Sequence, residues 1–133
     1  MSKENEQRVL DFMDCWRTHD LEGLMARIAD DAVYTPDLVS QSITGREAIR
    51  KEWASYIDRM PWYELVVRNM ASTGNLVFFE REERFRFPED KPMVMNIVRL
   101  VGIYEFNDAG LITAFRDYYD TSVYKPPQPT AKA

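Results

Sequence analysis

Leu76-Val77-Phe78-Phe79-Glu80-Arg81-Glu82-Glu83-Arg84-Phe85 has the length and the aromatic content of a β-strand. Side chains on a strand alternate between two faces. Phe79, Arg81, Glu83, Phe85 and Phe87 therefore share one face, and Glu80, Glu82, Arg84 and Arg86 share the other, which reads as the solvated one. An arginine and a carboxylate are left among phenylalanines. The same rule applied to Leu111-Ile112-Thr113-Ala114-Phe115-Arg116-Asp117-Tyr118-Tyr119-Asp120 groups Thr113, Phe115, Asp117 and Tyr119. Two carboxylates and an arginine turned into one apolar cavity have the makings of a general acid–base site, because burial and neighbouring charge push carboxyl pKa values apart.

Working outward from these runs, four β segments are expected at Trp62 to Ser72, Leu76 to Phe87, Met93 to Phe106 and Leu111 to Tyr119. Thr73-Gly74-Asn75, Pro88-Glu89-Asp90 and Asn107-Asp108-Ala109-Gly110 separate them, and turns this short predict antiparallel pairing. The third segment is apolar on both faces, with Val94, Val98, Leu100 and Tyr104 on one and Met93, Met95, Ile97, Val101 and Ile103 on the other. A helix layer would cover one face, and a second subunit is the expected cover for the other, making the protein a homodimer.

Helices are expected before the strands. Val9, Phe12, Met13 and Trp16 recur at helical spacing between Asn5 and Thr18. Asp20 has the character of an N-cap for a short second helix carrying Leu21, Leu24, Met25 and Ile28 and closed by Ala29-Asp30-Asp31. Ala32 to Thr35 reads as a short extended piece bringing Tyr34 inward, and Pro36 to Ile43 as a loop. Thr44 is the expected cap of a third helix from Gly45 to Asp58, with Ile49, Trp53, Tyr56 and Ile57 on its apolar side and Met60-Pro61 ending it. Helices followed by a meander make an α+β fold. Residues 1–124 are expected to form one domain and 125–133 a flexible proline-rich tail.

The 133 residues carry a formal net charge of -5, which disfavours nucleic acid and anionic membranes as partners. No apolar run approaches the roughly 20 residues of a membrane span, and the first residues lack a signal-peptide core, so a cytoplasmic location is expected. One cysteine, Cys15, and one histidine, His19, exclude an internal disulfide and disfavour a zinc site. No glycine-rich phosphate loop or dinucleotide fingerprint occurs, and the expectation is an enzyme without metal or cofactor. His19 reads as a capping or surface residue, and Cys15, Met13 and Trp16 as helix core.

The order of elements resembles limonene-1,2-epoxide hydrolase, within the nuclear transport factor 2 (NTF2)-like, or SnoaL-like, superfamily. The resemblance rests on Val9-Leu10-Asp11-Phe12-Met13-Asp14, Ala29-Asp30-Asp31-Ala32-Val33-Tyr34, Gly45-Arg46-Glu47-Ala48, the Glu80-Arg81 pair followed at one remove by Glu83, and Phe115-Arg116-Asp117-Tyr118-Tyr119-Asp120. It implies a cone-shaped (cystatin-like) α+β barrel, usually dimeric, whose interior pocket works without metal. Asp117 then matches the base that activates water, Arg81 the arginine bridging two carboxylates, and Tyr34 the tyrosine that helps hold the water. Glu83 stands where the family's acid is an aspartate, and Pro36 stands where an asparagine completes the water site. The expected walls are Trp16, Trp53, Tyr56, Phe79, Phe85, Leu100, Phe115 and Tyr119, which suit a small apolar or aromatic substrate. Epoxide hydrolysis is the first functional expectation. A cofactor-free lyase, dehydratase or isomerase is the second, for example a formaldehyde-releasing lyase on a lignin-derived diarylpropane diol. A ligand-binding module without catalysis is the third.

Overall fold

Val9, Phe12, Met13 and Cys15 lie buried along one side of helix α1 (Ser2–Arg17), in keeping with the helical period of its apolar residues. The computed structural model describes residues 2–59, 62–86 and 96–124. The expectations placed on Met60-Pro61, Phe87, Pro88-Glu89-Asp90, Met93 to Met95 and the tail fall outside those residues. Helix α1 ends in a Schellman turn: the Asp20 N–H donates to the Cys15 carbonyl at 2.8 Å and the His19 N–H to that of Trp16 at 3.1 Å. His19 holds the left-handed position of this turn with φ 55, so it does stand at a helix end. Asp20 caps the next helix, α2 (Leu21–Met25), its carboxylate accepting from the Gly23 N–H at 2.9 Å.

Beyond α2 the structure departs from the expectation. Ile28 to Asp31 do not continue a helix; they open strand β1 (Ile28–Thr35). The Ile112 N–H bonds the Arg27 carbonyl at 3.0 Å and Ile28 pairs with Ile112, so a partner far along the chain overrides the local helical pattern. A bulge between Ile28 and Val33 leaves Asp30 and Asp31 exposed, which erased the alternation that would have marked a strand. Strand β2 (Ile43–Thr44) then pairs antiparallel with β1. Thr44 therefore belongs to a strand, and the N-cap of helix α3 (Arg46–Ala54) is Gly45, whose φ of 98 a side chain would resist. Helix α3 is shorter than expected, and a 3-10 turn (Ile57–Arg59) continues it. Ile49, Trp53 and Ile57 are buried, as the apolar side required.

Strands β3 (Trp62–Thr73), β4 (Leu76–Arg86), β5 (Asn96–Phe106) and β6 (Ile112–Tyr118) form the expected antiparallel meander. The sheet order is β2-β1-β6-β5-β4-β3, with β1 parallel to β6. Among the described residues β2 and β3 are the two edges, so the sheet is an open, mixed one rather than a closed barrel. The helices cover its inner face. Phe12 sits at the centre of the core, its ring 5.8 Å from Tyr104 and 6.0 Å from both Trp53 and Phe115, edge-on to each. Truncating such a residue costs about 3–5 kcal/mol.

The outer face is less simple than a solvated surface. Val66, Ile97, Val101 and Tyr118 are 37–41% exposed there. Glu82, on the side read as solvated, is only 5% exposed because arginines lie over it.

Candidate active site

Strand β4 supplies Arg81 and Glu83, two residues apart and so on one face, and β6 supplies Asp117. Strand β5 lies between them, which puts β4 and β6 two strand spacings, roughly 9.5 Å, apart. Arginine is long enough to reach across, provided nothing stands in the way. Gly102 of β5 leaves that path open: it pairs with Phe79 on one side and Asp117 on the other, and a Cβ there would lie 2.9 Å from Arg81 Nη1 and 3.0 Å from the Phe79 ring.

The guanidinium holds both carboxylates. Arg81 Nη1 and Nη2 donate to Asp117 Oδ1 and Oδ2 at 3.2 and 3.0 Å, and Nε donates to Glu83 Oε2 at 2.7 Å. The second Glu83 oxygen, Oε1, accepts from the Tyr63 hydroxyl at 2.9 Å. The Phe79 ring centroid lies 5.2 Å from the guanidinium carbon. Arg81 is 5% and Asp117 7% exposed, so neither charge has much water to lean on.

Burial pushes the Asp117 carboxyl up from its ordinary value; Arg81 pulls the other way, and the Glu83 charge adds to the rise. Burial works against the charge on Arg81, yet Asp117 and Glu83 overcome it and hold the guanidinium pKa well above its usual value. Tyr34 and Tyr63 are driven well above the normal phenol range, chiefly by burial, and remain neutral. The trio of two carboxylates and one guanidinium carries one surplus negative charge when both acids are ionised. A site of that kind holds or releases a proton readily.

These groups line one cavity of about 360 Å³, at the small end of ligand pockets, which run from roughly 300 to 1,000 Å³. Asp117, Arg81, Glu83 and Tyr34 all face it. Of the expected walls, Trp16, Trp53, Tyr56, Phe85, Leu100, Phe115 and Tyr119 do as well. Phe79 does not: it lies in the core beneath Arg81, 5.0 Å from the Tyr104 ring, because the guanidinium covers the cavity side of it. Tyr34 stacks on Phe115 at 4.7 Å and Trp16 meets Trp53 at 4.8 Å. Pro36 also lines the cavity. Its neighbour Asp37 does not replace the missing amide, since its carboxylate accepts from the Val39 N–H, the Ser40 N–H and the Ser40 hydroxyl in its own loop.

Sequence reasoning missed Tyr63, Tyr104, Val98 and Arg59, which line the cavity too. Val98 and Tyr104 already stand with Leu100 on one face of the third expected strand, and Tyr63 shares the alternation of Leu65 and Val67, so carrying the whole inward face of each strand into the site would have found three of the four. Gly102 had a signal as well, a glycine in mid-strand marking a close approach. No group of three or more His, Cys, Asp or Glu side chains is arranged to hold a metal among the described residues. Nor is any helix among them long and apolar enough to cross a membrane.

The family signature of the SnoaL-like domain matches residues 9–115. The chain belongs to the SnoaL-like family. Its open sheet with helices on the inner face is the NTF2-like fold. An epoxide hydrolase from Mycobacterium tuberculosis of the limonene-epoxide-hydrolase-like type superposes with a TM-score of 0.78 over 90% of this chain and 85% of the other, at 22% identity. A putative SnoaL-like polyketide cyclase from Shewanella denitrificans gives a TM-score of 0.80 over 90% and 92%, at 17% identity. The M. tuberculosis protein RV0760c, solved with estradiol-17beta-hemisuccinate, gives 0.76 over 87% and 93%, at 25% identity. Proteins that share this fold thus include one described as an epoxide hydrolase, one as a putative cyclase and one solved with a steroid derivative.

Proposed function

We propose that this SnoaL-like protein is a cofactor-independent acid–base enzyme acting on a small apolar or aromatic substrate, and that water-driven opening of an epoxide is the reaction its site fits best. The observation that carries this reading is one buried guanidinium joined to two carboxylates at the wall of a ring-lined cavity. Asp117 acts as general base: a proton passes from water to its carboxylate as the water oxygen bonds to an epoxide carbon. Tyr34 helps hold that water. Glu83 acts as general acid, giving a proton to the epoxide oxygen as the carbon–oxygen bond breaks. A diol leaves, and the proton on Asp117 is returned to Glu83 between turnovers. The raised proton affinity of Asp117 suits a base.

Pro36 favours a second reading. It lines the cavity with neither a side-chain donor nor an acceptor, where an amide would orient water. Proton-moving elimination needs no positioned water, so a lyase or dehydratase acting on an aryl diol uses the same pair: Glu83 protonates a departing hydroxyl, and Asp117 removes a proton as a double bond forms. Incubating the protein with limonene-1,2-epoxide and with a diarylpropane diol, without added metal or nucleotide, in water labelled with heavy oxygen, separates the two. Label in a diol product marks hydrolysis; release of water or formaldehyde with a new double bond marks elimination. Conversion of neither, with tight binding of both, leaves the ligand-binding role instead.

The partner for the outer sheet face is, in this reading, a second copy of the chain. Val66, Ile97, Val101 and Tyr118 make an apolar strip there, flanked by the Arg68, Arg84 and Arg99 cluster and by the acidic Glu64, Glu80 and Glu105, a mixture able to pair with itself about a two-fold axis. Sizing at micromolar concentration should give a dimer. A monomer there removes the proposal.

A further inference from the structure

We infer that Tyr63 is the positioning residue of this site, its hydroxyl fixing the Glu83 carboxyl in the plane from which the proton is transferred. The inference rests on the acid–base reading above. Glu83 has three side-chain torsions, and Arg81 reaches only its Oε2, so that contact alone leaves the carboxyl free to turn about it. The Tyr63 hydroxyl, 2.9 Å from Oε1, supplies the second fixed point. Neighbouring strands set this geometry. Tyr63 pairs with Phe85 and Leu65 with Glu83, so Tyr63 and Glu83 are diagonal neighbours on the inner face. The Tyr63 ring is itself held, 6.5 Å from the Phe85 ring and 6.2 Å from that of His19.

Charge gives the same residue a second task. One guanidinium cannot offset two carboxylates, and Tyr63 is the neutral donor that meets the excess at Glu83. Burial keeps its own proton in place, so it donates at any working pH. A hydrogen bond to a carboxyl strengthens as the acceptor becomes charged. Tyr63 therefore contributes more once Glu83 has given up its proton than before, which is the condition for lowering a barrier rather than tightening binding.

The test is Tyr63→Phe, which keeps the ring and removes only the donor. With limonene-1,2-epoxide as probe, kcat should fall about tenfold to a hundredfold with KM changed by less than about twofold, and the same substitution in a Glu83→Gln background should cause no further loss. An unchanged kcat, or a loss that simply multiplies with that of Glu83→Gln, overturns the inference. Asp117→Asn in the same assay isolates the acid–base reading: if that variant turns over normally, the reading fails by itself. Whether or not the epoxide is converted, a crystal structure of Tyr63→Phe decides the positioning claim. The Glu83 carboxyl should turn about its contact with Arg81 Nε; finding it in place overturns the claim.

Discussion

Strand β4 carries two charge clusters back to back, and they are near mirror images. On the inner face one arginine, Arg81, lies between two carboxylates, Glu83 and Asp117; on the outer face one carboxylate, Glu82, lies among Arg68, Arg84 and Arg99. Burial alone does not separate them, since Glu82 is as little exposed as Arg81. The difference is what hides each group. Glu82 is covered by arginine side chains that are themselves 40–76% exposed, so its surroundings are solvated and screened. Arg81 and Asp117 are covered by phenylalanine, tyrosine and the strand beneath, where a charge depends on its partners alone. The outer cluster lies at the rim of the apolar strip on the sheet's outer face. The inner one is the cluster to which the acid–base proposal assigns the proton transfer.

Breaking the inner cluster should have the largest effect. Arg81→Met leaves the buried Asp117 and the half-buried Glu83 carboxylates facing each other; a loss of about 3–5 kcal/mol in unfolding free energy by urea titration is expected, together with loss of turnover. Asp117→Asn should lower turnover of the epoxide or diol by roughly a hundred- to ten-thousand-fold while apolar ligands still quench the tryptophan fluorescence of the cavity wall. Equal turnover in that variant would place the chemistry elsewhere. Gly102→Ala tests the path between the strands: its methyl meets Arg81 Nη1 and the Phe79 ring, and a cost of about 1–3 kcal/mol in thermal unfolding should accompany a drop in activity.

The pH dependence sharpens the same comparison. Asp117 binds its proton more tightly folded than unfolded, so its contribution to stability is present below the ordinary value near 3.8 and is lost as pH rises through the raised folded value. Relative to Asp117→Asn, which does not titrate there, the native protein should therefore lose stability across that window, as measured by denaturant titration at a series of pH values. The rate should show an acid limb above 3.8 for the same reason, since the base must be ionised. Glu82→Gln should have the smallest effect, leaving turnover within about twofold, because a screened surface group has little hold on the site.

Much of this was legible in the sequence because strand alternation is strict. The inward grouping of Arg81, Glu83 and Asp117 followed from the two-residue period alone, and so did the antiparallel meander from its short turns. What stayed hidden was set by distant partners. Ile28 to Asp31 read as helix because the parallel pairing of β1 with β6 leaves no local trace and the bulge at Asp30 and Asp31 breaks the pattern. The Tyr63 contact depends on the register of β3 against β4, and the misplacement of Phe79 on the depth to which a guanidinium covers a ring. Periodicity gives the face of a strand; it does not give which residue on that face touches the void.

That parallel pairing has a consequence for assembly. β6 is last in order among the six strands yet takes an interior place, wedged between β1 and β5. During synthesis the first strand emerges with no neighbour on that side and waits, its ladder groups there unpaired, until every other strand has been made. Pairing over such a separation is slow, and the half-built sheet is exposed to aggregation meanwhile. Asp117 rides in on that closing strand, so in a nascent chain the Arg81 guanidinium meets its second carboxylate only at the moment the sheet is sealed.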